Sequence, residues 1–451
     1  MNKQAHEIVA LVGSSITGLL MQVASLAILS NFATINEFAN YGKILVFGSV
    51  LGLALNPGLI IFAVREIGSG SNVVEIVVSI LSLRLVISVA CGIFMLVSTL
   101  VFNFDFYFTM AVISQIFVSL LTVGWIFQSQ QKYFKYSLYQ MVNAMCSLMP
   151  VLLFTIGLIS LTTIFLLTSF LMLLVTTFVL RDLDLENIKI LKLNNLAIFK
   201  KAFPLAKTSI LISLAHYIPV GLFWVVFDDN QFAIYFGLIR LIEIFIFAPT
   251  LINTYFYPKI SVQNTPLKLS ATLQYLNFST ALILTICIIK SYWGPKLLRL
   301  FNMSNLPALD LELFYFCLIL TSASMFLFSL NLVQNNDNNT FKKTFFAFTV
   351  LLIASLFIGA TEPTKSFFLI IIFDACLVVM NIKQLNFKSK DHWRYPEIWM
   401  PALTSILVLM SFAQPDLRDW MLPILVLVIV SNIYAIILLM KKEITQRRLE
   451  Y

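Results

Sequence analysis

The chain has 451 residues, 59% of them hydrophobic and only 12% charged, with a formal net charge of +8. A water-soluble domain covers itself with about 25% charged residues, so this composition excludes a soluble enzyme, a DNA-binding protein and a secreted disulfide scaffold. It implies a polytopic integral membrane protein. The apolar runs are continuous and not alternating in polarity, which makes it an all-α helical bundle and not a β-barrel.

In chain order, apolar runs of span length predict helices over residues 8–30, 41–63, 76–102, 106–128, 136–158, 161–180, 205–227 and 233–255. Further spans are expected over 271–289, 311–332, 344–360, 363–381, 399–413 and 421–440, for a total of fourteen. The connecting loops average about a dozen residues, too short to hold an extramembrane domain. With the N-terminus cytoplasmic, 22 Lys and Arg fall on the cytoplasmic side, 6 on the other and 2 within spans. Cytoplasmic loops carry the excess of cations in membrane proteins, so both termini are expected in the cytoplasm.

This scatter of cations over many short loops accounts for the basic total. It suits contact with anionic membrane lipids and gives no nucleic-acid footprint. The first residues lack the pattern of a cleavable signal peptide. Cys91, Cys146, Cys287, Cys317 and Cys376 all fall in expected spans without CxxC spacing and read as small apolar residues. No cofactor is expected, because neither a metal constellation nor a phosphate-cradling glycine loop is present.

An internal repeat divides the chain. Glu37-Phe38-Ala39-Asn40-Tyr41 precedes the second span, and Gln231-Phe232-Ala233-Ile234-Tyr235 precedes the eighth at an offset of 194 residues. The same offset carries Arg65 onto Lys259, and Pro57 and Pro249 lie inside the two spans two residues out of register. The expected organisation is a six-helix half over 1–180, a polar cytoplasmic linker over 181–204, a second six-helix half over 205–383, and an appended helix pair with a basic tail over 384–451. Spans two and eight run in the same direction, so the repeat is parallel, about an axis along the membrane normal. Two such halves around a midplane site are a recurring transporter plan. A proline within a span removes a backbone hydrogen bond, which makes Pro57 and Pro249 candidate hinges.

Several of these residues carry a resemblance. The 6+6+2 arrangement, the Phe-Ala-x-Tyr before the second span, and Trp125-Ile126-Phe127-Gln128-Ser129-Gln130-Gln131-Lys132 at the end of the fourth are similar to bacterial O-antigen repeat-unit flippases. That family belongs to the multidrug/oligosaccharidyl-lipid/polysaccharide exporter superfamily, whose members often show Trp-x-Phe-Gln-Gly-x-Glu where this chain has Ser129 and Gln131. Pro258-Lys259-Ile260-Ser261 and the stretch 293–301 also resemble the family. The resemblance implies movement of undecaprenyl-diphosphate-linked oligosaccharide from the cytoplasmic to the periplasmic leaflet of the bacterial inner membrane. It further implies alternating access coupled to H+ or Na+, alongside other polysaccharide assembly proteins.

Ionisable groups inside spans are costly and mark function by default. Arg84 and Arg240 are candidates for the substrate diphosphate, because a guanidinium binds phosphate oxygens bidentately. Against this, Arg84 can snorkel or pair with Glu75, and Arg240 can neutralise Glu243 at i,i+3. Asp374, Glu243 and His216 fall near the midplane and are candidates for ion coupling. The competing readings are an interhelical hydrogen bond for Asp374 and simple packing for His216. Trp125 and Gln128 are candidates for sugar contact or for an interface anchor. Two further functions compete with the flippase. One is an exporter of amphiphilic drugs from the same superfamily; the other is an O-antigen polymerase or membrane glycosyltransferase, which the short outer loops disfavour.

Overall fold

The computed structural model describes residues 3–52, 57–68, 70–181, 195–226, 228–242, 317, 321, 324, 337–358 and 363–382. The described residues form α1 (Lys3–Phe32), α2 (Ile35–Gly52), α3 (Pro57–Gly68), α4 (Val73–Phe102), α5 (Phe106–Leu121) and α6 (Trp125–Ser129). They continue with α7 (Tyr133–Thr155), α8 (Leu161–Arg181) and α9 (Asn195–Val226), then α10 (229–242), α11 (Asp337–Ile358) and α12 (Pro363–Ile382). No strand occurs among them, and the all-α membrane bundle expected from composition is the architecture observed. The spans expected over 271–289, 399–413 and 421–440, together with Pro249 and Glu243, lie outside the described residues.

Local chemistry sets the helix ends. Thr34 and Glu37 form a capping box before α2: Glu37 Oε2 accepts from Thr34 N at 2.8 Å and Thr34 Oγ1 accepts from Glu37 N at 3.3 Å. Asp228 caps α10 in the same way, its Oδ1 accepting from Gln231 N at 2.8 Å. Thr34 and Asp228 stand at the repeat offset of 194, as do Glu37 and Gln231. Asn72 caps α4 through Val74 N and Glu75 N, and Asn103 ends it in the left-handed conformation that asparagine tolerates.

The span expected over 41–63 begins six residues early, as α2, and its later part is α3. The one expected over 106–128 is interrupted: it stops at Leu121 and restarts at Trp125. Periodicity does not show such a break, because the residues on either side are equally apolar.

α1 lies along α7, α5 against α8 and α2, and α9 against α3, α11 and α12. One apolar core gathers Leu29, Phe38, Ala111, Ile164 and Phe236 from α1, α2, α5, α8 and α10. A second gathers Phe62, Ile80, Trp125, Met172, Ile212 and Phe373 from α3, α4, α6, α8, α9 and α12. Large apolar side chains also stand outward, among them Leu100 at 82% and Phe178 at 70% exposure. Such a surface is unfavourable in water and suits lipid. Among the described residues, four stretches are long and apolar enough to cross a membrane: Val73–Phe102, Phe106–Ser129, Tyr133–Thr155 and Leu161–Arg181.

Candidate functional site

Asp374 on α12 is fully buried but is not isolated. Its Oδ2 accepts from Thr321 Oγ1 at 2.5 Å and its Oδ1 from Ser324 Oγ at 2.6 Å. His216 on α9 brings Nε2 to 3.4 Å from Oδ2. The sequence offered no opposite charge within a turn of α12, because the partners come from other parts of the chain. Thr321 and Ser324, in the stretch expected as the 311–332 span, were missed altogether: hydroxyls are common in membrane helices and mark nothing until a carboxylate faces them.

The hydrogen bookkeeping around this carboxylate is informative. His216 Nδ1 lies 2.8 Å from the Ile212 carbonyl, which can only accept, so Nδ1 carries a hydrogen. Nε2 is then protonated only if the imidazole is charged. Ser324 Oγ is also 3.0 Å from the Thr321 carbonyl, so its single hydrogen can point either there or at Asp374. With the carboxylate ionised, Ser324 donates to it. With the carboxyl protonated, Ser324 accepts from it and donates to the Thr321 carbonyl. The cluster accommodates both protonation states without moving a heavy atom.

Arg84 is fully buried in α4. Its Nη1 donates to the Thr122 carbonyl at 3.1 Å and its Nη2 to the Ser119 carbonyl. These are end-of-helix carbonyls left without partners by the break after Leu121. Thr176 Oγ1 donates to the Leu121 carbonyl at 2.7 Å, and Tyr139 Oη accepts from Val123 N at 3.0 Å. Side chains from α4, α8 and α7 thus satisfy the exposed backbone of a broken helix where no water can. Gly124 sits under the Tyr139 ring, where a Cβ would stand 2.6 Å from Cδ1. Arg84 therefore reaches neither the interface nor Glu75 through these bonds.

Arg240 on α10 is half-buried, with its guanidinium carbon 5.5 Å from the centre of the Phe236 ring. Trp125 is 3% exposed, within the core and away from any surface, and its indole N–H finds no acceptor among the described residues. Gln128 is half-buried in α6. Among the described residues no group of three or more His, Cys, Asp or Glu is arranged to hold a metal ion. A pocket of about 280 Å³ opens at the end holding the α4–α5 and α7–α8 turns, lined by Asn40, Lys43, Phe104, Asp105, Phe108 and Thr162.

A helical bundle with an apolar outer surface, a broken helix and a buried, multiply bonded carboxylate belongs to the class of polytopic membrane folds. The comparison with solved structures makes the class specific. The fold is similar to a MATE in complex with MaL6, at a TM-score of 0.60 and 16% identity, over 83% of this chain and 94% of that one. It is similar to an outward-facing multidrug resistance MATE family transporter of the MOP superfamily, at 0.63 and 16%, over 84% and 94%. It is also similar to the MATE multidrug transporter DinF-BH, at 0.66 and 15%, over 88% and 96%. No family model and no curated protein matches the sequence. The chain has the fold of the MATE transporters.

Proposed function

We propose that the chain is an ion-gradient-coupled exporter of amphiphilic molecules, in which the Asp374–His216 cluster binds the driving ion. The observation that carries this reading is the buried Asp374 carboxylate, held by Thr321, Ser324 and His216. A fixed structural hydrogen bond needs only one such partner. Three partners with a switchable hydroxyl suit a group that gains and loses charge. The similarity to multidrug MATE transporters supports export of amphiphiles over movement of a lipid-linked oligosaccharide. In this reading two six-helix halves, 1–180 and 205–383, alternate access about the linker 181–204, with both termini cytoplasmic and Pro57 and Pro249 at the bends.

A second reading is a flippase for undecaprenyl-diphosphate-linked oligosaccharide in the bacterial inner membrane. The motifs at 37–41 and 125–132 favour it. In this reading Arg84, with two N–H groups on backbone carbonyls, does not hold the diphosphate.

Reconstitution of the full chain in proteoliposomes tests both readings. A pH or sodium gradient is imposed in turn, with either a fluorescent amphiphilic dye or a fluorescently tagged lipid-diphosphate oligosaccharide. Gradient-driven dye movement that is lost in Asp374→Asn supports the exporter. Movement of the oligosaccharide alone supports the flippase. Movement of neither under either gradient overturns the proposal.

A further inference from the structure

Two glycines mark where the segment before the polar linker meets the segment after it. At Gly42 in α2 a Cβ would stand 2.7 Å from Phe236 Cγ and 3.0 Å from Phe232 Cε1, both on α10. At Gly58 in α3 a Cβ would run into the backbone of Ala206 on α9. These contacts lie at different levels of the bundle. Gly42 is near the end that holds the α1–α2 and α9–α10 turns, and Gly58 is further along, towards Arg65 and the opposite end.

The Gly42 contact has more than shape. Lys43 Nζ is 2.6 Å from Asp229 Oδ1 and sits 6.0 Å from the centre of the Phe232 ring. The Phe38 and Tyr41 rings meet Phe236 edge-on at 5.6 and 6.3 Å. Phe38 and Tyr41 of the first repeat motif therefore pack on Phe236, the residue after the second motif, and Phe232 of the second motif meets Gly42 and Lys43, just after the first. A rocking motion between the two segments must open the contact at one glycine before the contact at the other. A contact onto a glycine opens without any rearrangement of a side chain at that position. Asp229 is 41% exposed and Lys43 15%, so water reaches the pair from the aspartate's side and can take over its charge when the contact opens.

We infer that Gly42 and Gly58 are the closure points of two gates, with Lys43–Asp229 as the latch of the first. The inference rests on the transport reading above and adds the elements that shut each end. Because α1 crosses the bundle once from the N-terminus, the Gly42 gate is the one on the side away from the N-terminus.

The test reads access at each end, independently of any substrate. A cysteine replaces Ala39, which is 0% exposed beside the Gly42 contact, or Ala63, which is 0% exposed in α3. A membrane-impermeant maleimide is applied from either side of sealed vesicles holding the full chain, and labelling at that one residue is read by mass spectrometry. Gly42→Val adds bulk that Phe236 must vacate, so labelling at 39 rises about tenfold while labelling at 63 does not. Gly58→Val gives the reverse pattern. Adding Phe236→Ala to Gly42→Val restores the low labelling at 39. If Gly42→Val is not produced, Gly42→Ala and Asp229→Asn carry the same expectation.

Unchanged labelling in folded variants overturns the inference, and so does a rise at both positions together. If labelling shifts as expected but no substrate moves under any gradient, the gates stand and the transport reading fails.

Discussion

His216 and Asp374 are 158 residues apart in the chain, yet Nε2 of the first lies 3.4 Å from Oδ2 of the second. The two helices that bring them together, α9 and α12, pack directly. The imidazole is oriented by the Ile212 carbonyl one turn earlier on its own helix, so the nitrogen left facing the carboxylate is the one whose protonation can change.

Asp374→Asn keeps the hydrogen-bonding shape of the cluster and removes its charge. We expect gradient-driven transport to be lost while substrate exchange without a gradient persists, as measured by counterflow in proteoliposomes. Asp374→Ala leaves the Thr321 and Ser324 hydroxyls and His216 without their shared acceptor. It should also cost about 2–4 kcal/mol of stability, read as a lowered melting temperature in detergent.

His216→Gln retains an amide able to bond to the Ile212 carbonyl or to Asp374, but it does not titrate. The expected result is a folded protein whose transport rate no longer follows pH, because a glutamine amide does not change charge. A pH profile superimposable on that of the unmodified chain would remove His216 from the coupling cluster.

Arg84 holds the Ser119 and Thr122 carbonyls at the broken end of α5. Arg84→Ala should destabilise the protein by about 3 kcal/mol or more, since it strands buried carbonyls. Arg84→Lys should recover only a fraction of that loss, because an ammonium lacks the planar fork that spans two acceptors. Thermal unfolding with tryptophan fluorescence separates the variants. Full stability in Arg84→Ala would return this residue to a role in substrate binding.

Trp125 has a buried indole N–H that finds no acceptor among the described residues. Trp125→Phe should therefore change stability by no more than about 1 kcal/mol, since it discards a polar group that gains little. Trp125→Ala opens a cavity in the core of α3, α4 and α6 and should cost about 3–5 kcal/mol. If Trp125→Phe abolishes transport at full stability, the indole has a role in substrate contact that its burial does not suggest.

The capping residues Thr34 and Asp228 stand at equivalent places of the repeat. Thr34→Ala and Asp228→Ala should each cost about 1 kcal/mol. Because α2 and α10 meet through Phe38 and Phe236, the double variant is expected to lose more than the two single changes together. Hydrogen exchange at the first turns of both helices measures it.

The bundle was legible in the sequence because membrane spans follow from local composition. Six spans expected from apolar runs correspond to described helices with ends within about a turn or two, α1, α4, α7, α8, α11 and α12, while α9 begins ten residues before the span expected over 205–227. The break after Leu121 was not legible, since a helix break in lipid is permitted by side chains that come from other helices. Arg84, Tyr139 and Thr176 supply those groups, and their spacing to residues 119–123 in the chain says nothing of it. Asp374 and His216 were recognised singly as costly groups in lipid, but their meeting was invisible.

What the sequence by itself determined is that this chain lives in a bilayer as helices, which cations lie outside the spans, and which two stretches repeat. Those properties are set by the free energy of burying each segment in hydrocarbon, a sum over neighbouring residues. The tertiary structure decided which polar groups share a site, which backbone carbonyls a buried arginine satisfies, and where glycines let helices touch. Those depend on the rotation of each helix about its own axis. Packing between distant segments sets that rotation, and in a chain so uniformly apolar no local pattern encodes it.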